Sequence, residues 1–91
     1  MSDSIARRVI IHGDVQGVFF RDSTQSEADR RGVTGWIRNR DDGAVEGFFE
    51  GPADEVDGLI AWCQTGPARA TVDEVDVDEA EPEGLSSFDV R

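Results

Sequence analysis

Thr34-Gly35-Trp36-Ile37-Arg38-Asn39-Arg40-Asp41-Asp42-Gly43-Ala44-Val45-Glu46-Gly47-Phe48-Phe49-Glu50 reads as two strands joined by a tight turn. Thr34 to Arg40 and Ala44 to Glu50 carry β-branched and aromatic residues. Asp42-Gly43 between them is a strong hairpin signal, because these residue types tolerate the positive φ angles that two-residue hairpin turns need. The two runs are expected to pair antiparallel, and what flanks them decides the rest of the architecture.

On the C-terminal side, Pro52 follows Gly51 and suits the first turn of a helix, where its missing N–H is not needed. Val56, Leu59, Ile60 and Cys63 then fall at i, i+3, i+4 and i+7, one face of a helix that Gly66-Pro67 ends. Ala70 to Val77 reads as a strand in which Val72 is out of phase with Val75 and Val77, so a bulge or a late start is expected. Glu79 to Gly84 reads as an acidic, proline-containing loop, and Ser87-Phe88-Asp89-Val90 as a short terminal strand.

On the N-terminal side, Arg8-Val9-Ile10-Ile11-His12 is a β-branched run bounded by Gly13. Arg21 to Arg31 is polar and free of proline; Phe20, Thr24 and Ala28 form a thin stripe, with Gly32 placed as a C-terminal cap. The order is β-α-β-β-α-β with a short fifth strand. Two helices on one face of an antiparallel sheet make an α+β, ferredoxin-like sandwich, and the whole chain, 1–91, reads as one domain.

Twenty acidic residues face nine basic ones, a net charge of −11. All nine are arginine. No basic stripe exists, so nucleic acid and anionic membrane surfaces are not expected partners. The aromatic Lys/Arg-Gly-Phe strand motif of RNA-binding domains with this fold is also missing. The acid excess fits adaptation to high salt, where carboxylate repulsion is screened. Stability is therefore expected to rise with KCl concentration in unfolding titrations; salt-independent unfolding counts against the adaptation.

Cys63 is the only cysteine, so no intramolecular disulfide is possible and a reducing compartment is expected. The segment Met1-Ser2-Asp3-Ser4 shows no charged and apolar leader pattern, and no apolar run reaches membrane-spanning length. A cytoplasmic protein, monomeric by default, is the expectation.

Chemistry concentrates in Ile11-His12-Gly13-Asp14-Val15-Gln16-Gly17-Val18-Phe19-Phe20-Arg21. A loop turning from a strand into a helix leaves backbone N–H groups without partners, converging where the helix dipole also favours an anion. Arg21 adds a planar, permanently charged fork that matches phosphate oxygens. This local positive potential is out of character with the rest of the chain.

Two motifs together carry a resemblance. The first is the loop Gly13 to Arg21; the second is Gly35-Trp36-Ile37-Arg38-Asn39 followed by Asp42-Gly43-Ala44-Val45-Glu46-Gly47 and closing at Gly51. Here the chain resembles the acylphosphatase family, whose signatures are a Gly-x-Val-Gln-Gly-Val-x-Phe-Arg loop and a Gly-aromatic-x-x-Asn strand leading into a glycine hairpin. The likeness extends to Ala28, Gly32, Gly66-Pro67, Ala70, Val72 and Phe88.

The resemblance implies hydrolysis of a small-molecule acyl phosphate to carboxylate and inorganic phosphate, with no metal and no cofactor. By position, Arg21 matches the family's phosphate-binding arginine and Asn39 its water-positioning asparagine. The backbone amides of Gln16, Gly17, Val18, Phe19 and Phe20 match its phosphate cradle. The alternative is an anion-binding or regulatory module of the same fold without turnover.

Other residues carry less. His12 has no carboxylate or cysteine beside it in sequence and reads as structural. Asp14 would repel a bound phosphate and is expected to face solvent. Trp36 and Trp62 read as packing residues, Trp36 with a place at the wall of the site. Cys63, on the apolar helix stripe, reads as inert core.

Overall fold

Over residues 4–91, which the computed structural model describes, the chain forms β1 (Ser4–Asp14), α1 (Phe20–Arg31), β2 (Thr34–Asn39), β3 (Val45–Pro52), α2 (Ala53–Cys63), β4 (Thr71–Ala80) and β5 (Phe88–Val90). Residues Met1 to Asp3, part of the segment read as lacking a leader, lie outside the described residues. The five strands make one sheet in the order β4-β1-β3-β2-β5.

Strands β1 to β4 pair antiparallel, as expected for the ferredoxin-like sandwich. The terminal strand departs from that expectation: β5 runs parallel to β2, with Gly35 opposite Phe88 and Ile37 opposite Val90, so the sheet is mixed. The cause is the connection after β4, which travels from one sheet edge to the other before β5 begins. Glu50, 5% exposed, fastens that connection by accepting the backbone N–H of Glu83 at 2.7 Å and of Gly84 at 2.9 Å.

The core lies between the sheet and both helices. Val9, Ile11, Ile37, Val45 and Phe49 meet Phe20 and Ala28 of α1 and Val56, Leu59 and Cys63 of α2. Each valine, leucine, isoleucine or phenylalanine side chain among them contributes roughly 1.5–3 kcal/mol when fully buried. The thin stripe on α1 is buried as the spacing predicts, and the one polar member, Thr24, is satisfied by donating to the Phe20 carbonyl at 2.8 Å. Burial pushes the Cys63 thiol up, away from the reactive thiolate.

Gly32 ends α1 in the left-handed conformation, with the Val33 N–H donating to the Ala28 carbonyl at 2.9 Å. Pro52 sits one residue before α2 rather than within its first turn. The phase slip at Val72 is a β-bulge: His12 faces Glu74 but Gly13 faces Val72, leaving Asp73 as the extra residue. Strand β4 runs on to Ala80, so the loop expected from Glu79 begins two residues later. Alternation fades there, but β1 reaches back to Ser4 and its Ala6 and Arg7 pair with Ala80 and Glu79.

The open sheet face carries an ion triad. Glu46, 8% exposed, accepts from Arg38 Nε at 3.1 Å and Nη2 at 2.6 Å, with Arg8 Nε at 3.7 Å. His12 Nε2 lies 3.0 Å from Asp76 Oδ2 on the adjacent strand, which gives this histidine a cross-strand role.

Candidate active site

The loop between β1 and α1 winds through two residues in the left-handed region, Gly17 at φ 75° and Phe19 at φ 64°, ψ 24°. Phe19 is the one non-glycine residue with positive φ among the described residues, a conformation that costs such a residue roughly 1–2 kcal/mol. Phe19 is also the N-cap of α1, and its side chain caps nothing. Among the described residues, no protein acceptor takes the backbone N–H groups of residues 16 to 22; the first helical bond is Ser23 N–H to the Phe19 carbonyl at 3.0 Å. Uncapped donors at a helix start are the raw material of an anion site.

A cleft of about 250 Å³ opens over this turn, lined by Val15, Gly17, Phe19, Phe20, Arg21, Asp22 and Asn39. Arg21 and Asn39, 18 positions apart in sequence, thus come together as the two motifs require. Arg21 makes no ion pair among the described residues; one Nη1 hydrogen bond goes to the Arg91 carbonyl at 3.1 Å. Most of its five donors stay free for a ligand. The Asn39 Oδ1 atom is buried yet has no hydrogen-bond partner among the described residues. Such an acceptor carries a desolvation cost of roughly 1–3 kcal/mol unless a donor reaches it.

Of the five residues expected to form the cradle, Gly17, Phe19 and Phe20 line the cleft, and Gln16 and Val18 do not. Gln16 turns to the β2–β3 hairpin, where its Nε2 donates to the carbonyls of Arg40 at 2.7 Å and Ala44 at 3.0 Å. The side chain thereby ties the amide-rich loop to the hairpin that follows Asn39. Val18 packs against the core. Asp14 is exposed, as expected.

The hairpin itself differs from a two-residue turn. Gly43 alone has positive φ, at 92°, and its N–H bonds back to the Arg40 carbonyl at 3.3 Å, while Arg40 N–H bonds to the Ala44 carbonyl at 2.8 Å. Asp41 and Asp42 keep negative φ, so glycine serves as the left-handed residue closing a three-residue loop. Asp42 organises it: the Ala44 N–H and then the Arg40 guanidinium hold its carboxyl below the usual carboxylate range.

Trp36 is not at the wall of the cleft. It lies on the other sheet face, stacked on Phe48 at 6.3 Å with Arg91 over its ring at 4.9 Å. Trp62 packs on Phe20, centroids 5.7 Å apart, behind the loop. Two neighbours of the site carry no signal in the sequence beyond adjacency: Asp22 follows Arg21 in the first helical turn, and the Arg91 carbonyl, 70 residues from Arg21, is brought near by the parallel β5.

A sequence model of the acylphosphatase family matches residues 7–90. The chain belongs to the acylphosphatase family. An acylphosphatase of Haloquadratum walsbyi is 52% identical over 92 positions, covering 100% of this chain and 99% of that protein. One of Natronomonas pharaonis is 45% identical over 91, again covering 100% and 99%. Among solved structures, an acylphosphatase from Coxiella burnetii superposes with a TM-score of 0.94 at 37% identity, covering 98% of this chain and 94% of that one. An acylphosphatase-family chain is an enzyme of acyl phosphate hydrolysis, and the cleft between the two family motifs is its candidate site.

Proposed function

We propose that this chain hydrolyses acyl phosphates without a metal, with Arg21 and the loop amides of Gln16 to Phe20 binding the phosphate and Asn39 positioning the attacking water. The observation that carries this reading is the convergence of Arg21, Asn39 and the uncapped α1 start on one cleft. The place of Asn39 in the lining of the same cleft as Arg21 supports the water role, because its amide then stands beside the bound phosphate that the water attacks.

The chemistry needs little more. A carboxylate leaves without a general acid, since its conjugate acid has a pKa of about 4–5. Phosphoryl transfer through a loose transition state asks mainly for positioning and for stabilisation of charge on the equatorial oxygens. Guanidinium and amide donors supply that. The water oxygen bonds to phosphorus as the bond to the acyl oxygen breaks, its electron pair leaving with the carboxylate. Asn39 has no usable basicity, so it aims the water by accepting one hydrogen bond, and a phosphate oxygen of the substrate takes the proton.

The same reading has the chain working as a monomer in a saline cytoplasm, which its charge and its relatives among halophilic archaea favour. Acetyl phosphate turnover in molar KCl with EDTA is expected to match turnover without EDTA. Loss of activity in EDTA contradicts the metal-free mechanism; phosphate binding with no turnover points instead to an anion-binding module.

A further inference from the structure

Phe19 carries two unfavourable features at once. Among the described residues it is the sole non-glycine residue held in the left-handed region, and it is 65% exposed where Val77 is the one other exposed large hydrophobic. Glycine at this position would avoid both the strain and the exposed apolar surface. Backbone strain of this kind is characteristic of ligand clamps. Phe19 also lines the cleft beside Val15 and Phe20, which are themselves buried at 1% and 2% exposure and present little surface of their own.

The geometry points to Phe19 as the residue that selects the acyl group: its ring packs against the acyl portion of the substrate and favours apolar, above all aromatic, acyl phosphates over small or polar ones. The inference rests on the acyl phosphate reading of this site. The phosphate end of any substrate is identical and engages the same Arg21 fork and amides, so discrimination must come from what surrounds the leaving group. Among the cleft residues, Asp22 is an anion, Asn39 and Arg21 are committed to water and phosphate, and Gly17 has no side chain. An exposed aromatic face remains. The left-handed backbone fixes where that ring leaves the loop, so it offers a preorganised contact rather than one ordered at binding.

An aromatic ring stacking on Phe19 gains more than its buried area alone supplies, whereas a methyl group covers too little of the face to gain much. Because the acyl group departs in the reaction, the contact acts on kcat/KM through the orientation of the leaving oxygen as well as through affinity.

The test compares benzoyl phosphate with acetyl phosphate as the ratio of their kcat/KM values, in wild type and in Phe19→Ala, Phe19→Leu and Phe19→Trp. Damage to the cradle lowers both substrates alike and cancels in the ratio. The benzoyl-to-acetyl ratio is expected to fall roughly tenfold in Phe19→Ala, to fall by less in Phe19→Leu, and to hold in Phe19→Trp. A ratio unchanged within about twofold across the three variants overturns the role of Phe19 while leaving hydrolysis standing. Wild-type protein that turns over neither substrate overturns the hydrolase reading itself, and the acyl-selection role with it.

Discussion

Arg21→Ala is expected to lower kcat/KM for acetyl phosphate by about 10³-fold and to weaken inorganic phosphate binding in parallel. Removing a single oxyanion donor typically costs 10²–10³-fold, and an arginine that meets transferring phosphoryl oxygens is worth 10³ or more. A factor of 10³ corresponds to about 4 kcal/mol of transition-state stabilisation. Among the described residues the guanidinium is the one cation lining the cleft, and a chain of net charge −11 offers no substitute. Arg21→Lys should recover little, because a compact ammonium cannot match two oxygens with a planar fork. The fold should survive, since the side chain is tied only through one bond to the Arg91 carbonyl near the surface. Denaturant midpoints alongside the kinetics separate the two effects; a loss of less than tenfold with the fold intact contradicts the assignment.

Gly35→Ala is expected to be the most damaging small substitution for stability, by roughly 3–5 kcal/mol, combining backbone strain with overpacking. Gly35 has φ 141°, which L side chains rarely adopt, and a Cβ there lies 1.8 Å from the Phe48 carbonyl oxygen and 2.8 Å from its carbon. Both neighbours are backbone in the middle of the sheet, with β3 on one side and β5 on the other, so neither can yield locally. Against a total stability of about 5–15 kcal/mol this decides whether the protein is folded. Urea unfolding reads the loss directly, and a shift under about 1 kcal/mol means that β2 and β3 are less constrained than their contact implies.

Most of the architecture was legible because it rests on local signals. The helix stripes at Phe20, Thr24, Ala28 and Val56, Leu59, Cys63 are set by the 3.6-residue period, and the bulge at Asp73 betrayed itself by the phase slip at Val72. The direction of β5 was not legible, since a three-residue alternation reads the same both ways and the deciding contact, Glu50 on the 83–84 amides, joins distant positions. At the site, the motifs placed Arg21 and Asn39 in one cleft. They did not show Gln16 clamping the hairpin, because its partners lie 24 and 28 residues away. Nor did residue type foretell the left-handed Phe19, as propensity alone assigns that region to glycine. Trp36 packs, as its residue type implies, but on Phe48 and away from the cleft, because strand alternation sets it on the face opposite Ile37, which faces the helices.

The water-positioning role proposed for Asn39 separates hydrolysis from mere anion binding, and one paired measurement tests it: kcat for acetyl phosphate and Kd for inorganic phosphate in Asn39→Ala. A fall in kcat of about 10²-fold or more, with phosphate Kd held within about twofold, is the predicted result. Turnover that survives the substitution unchanged, or a Kd that weakens as steeply as in Arg21→Ala, contradicts it.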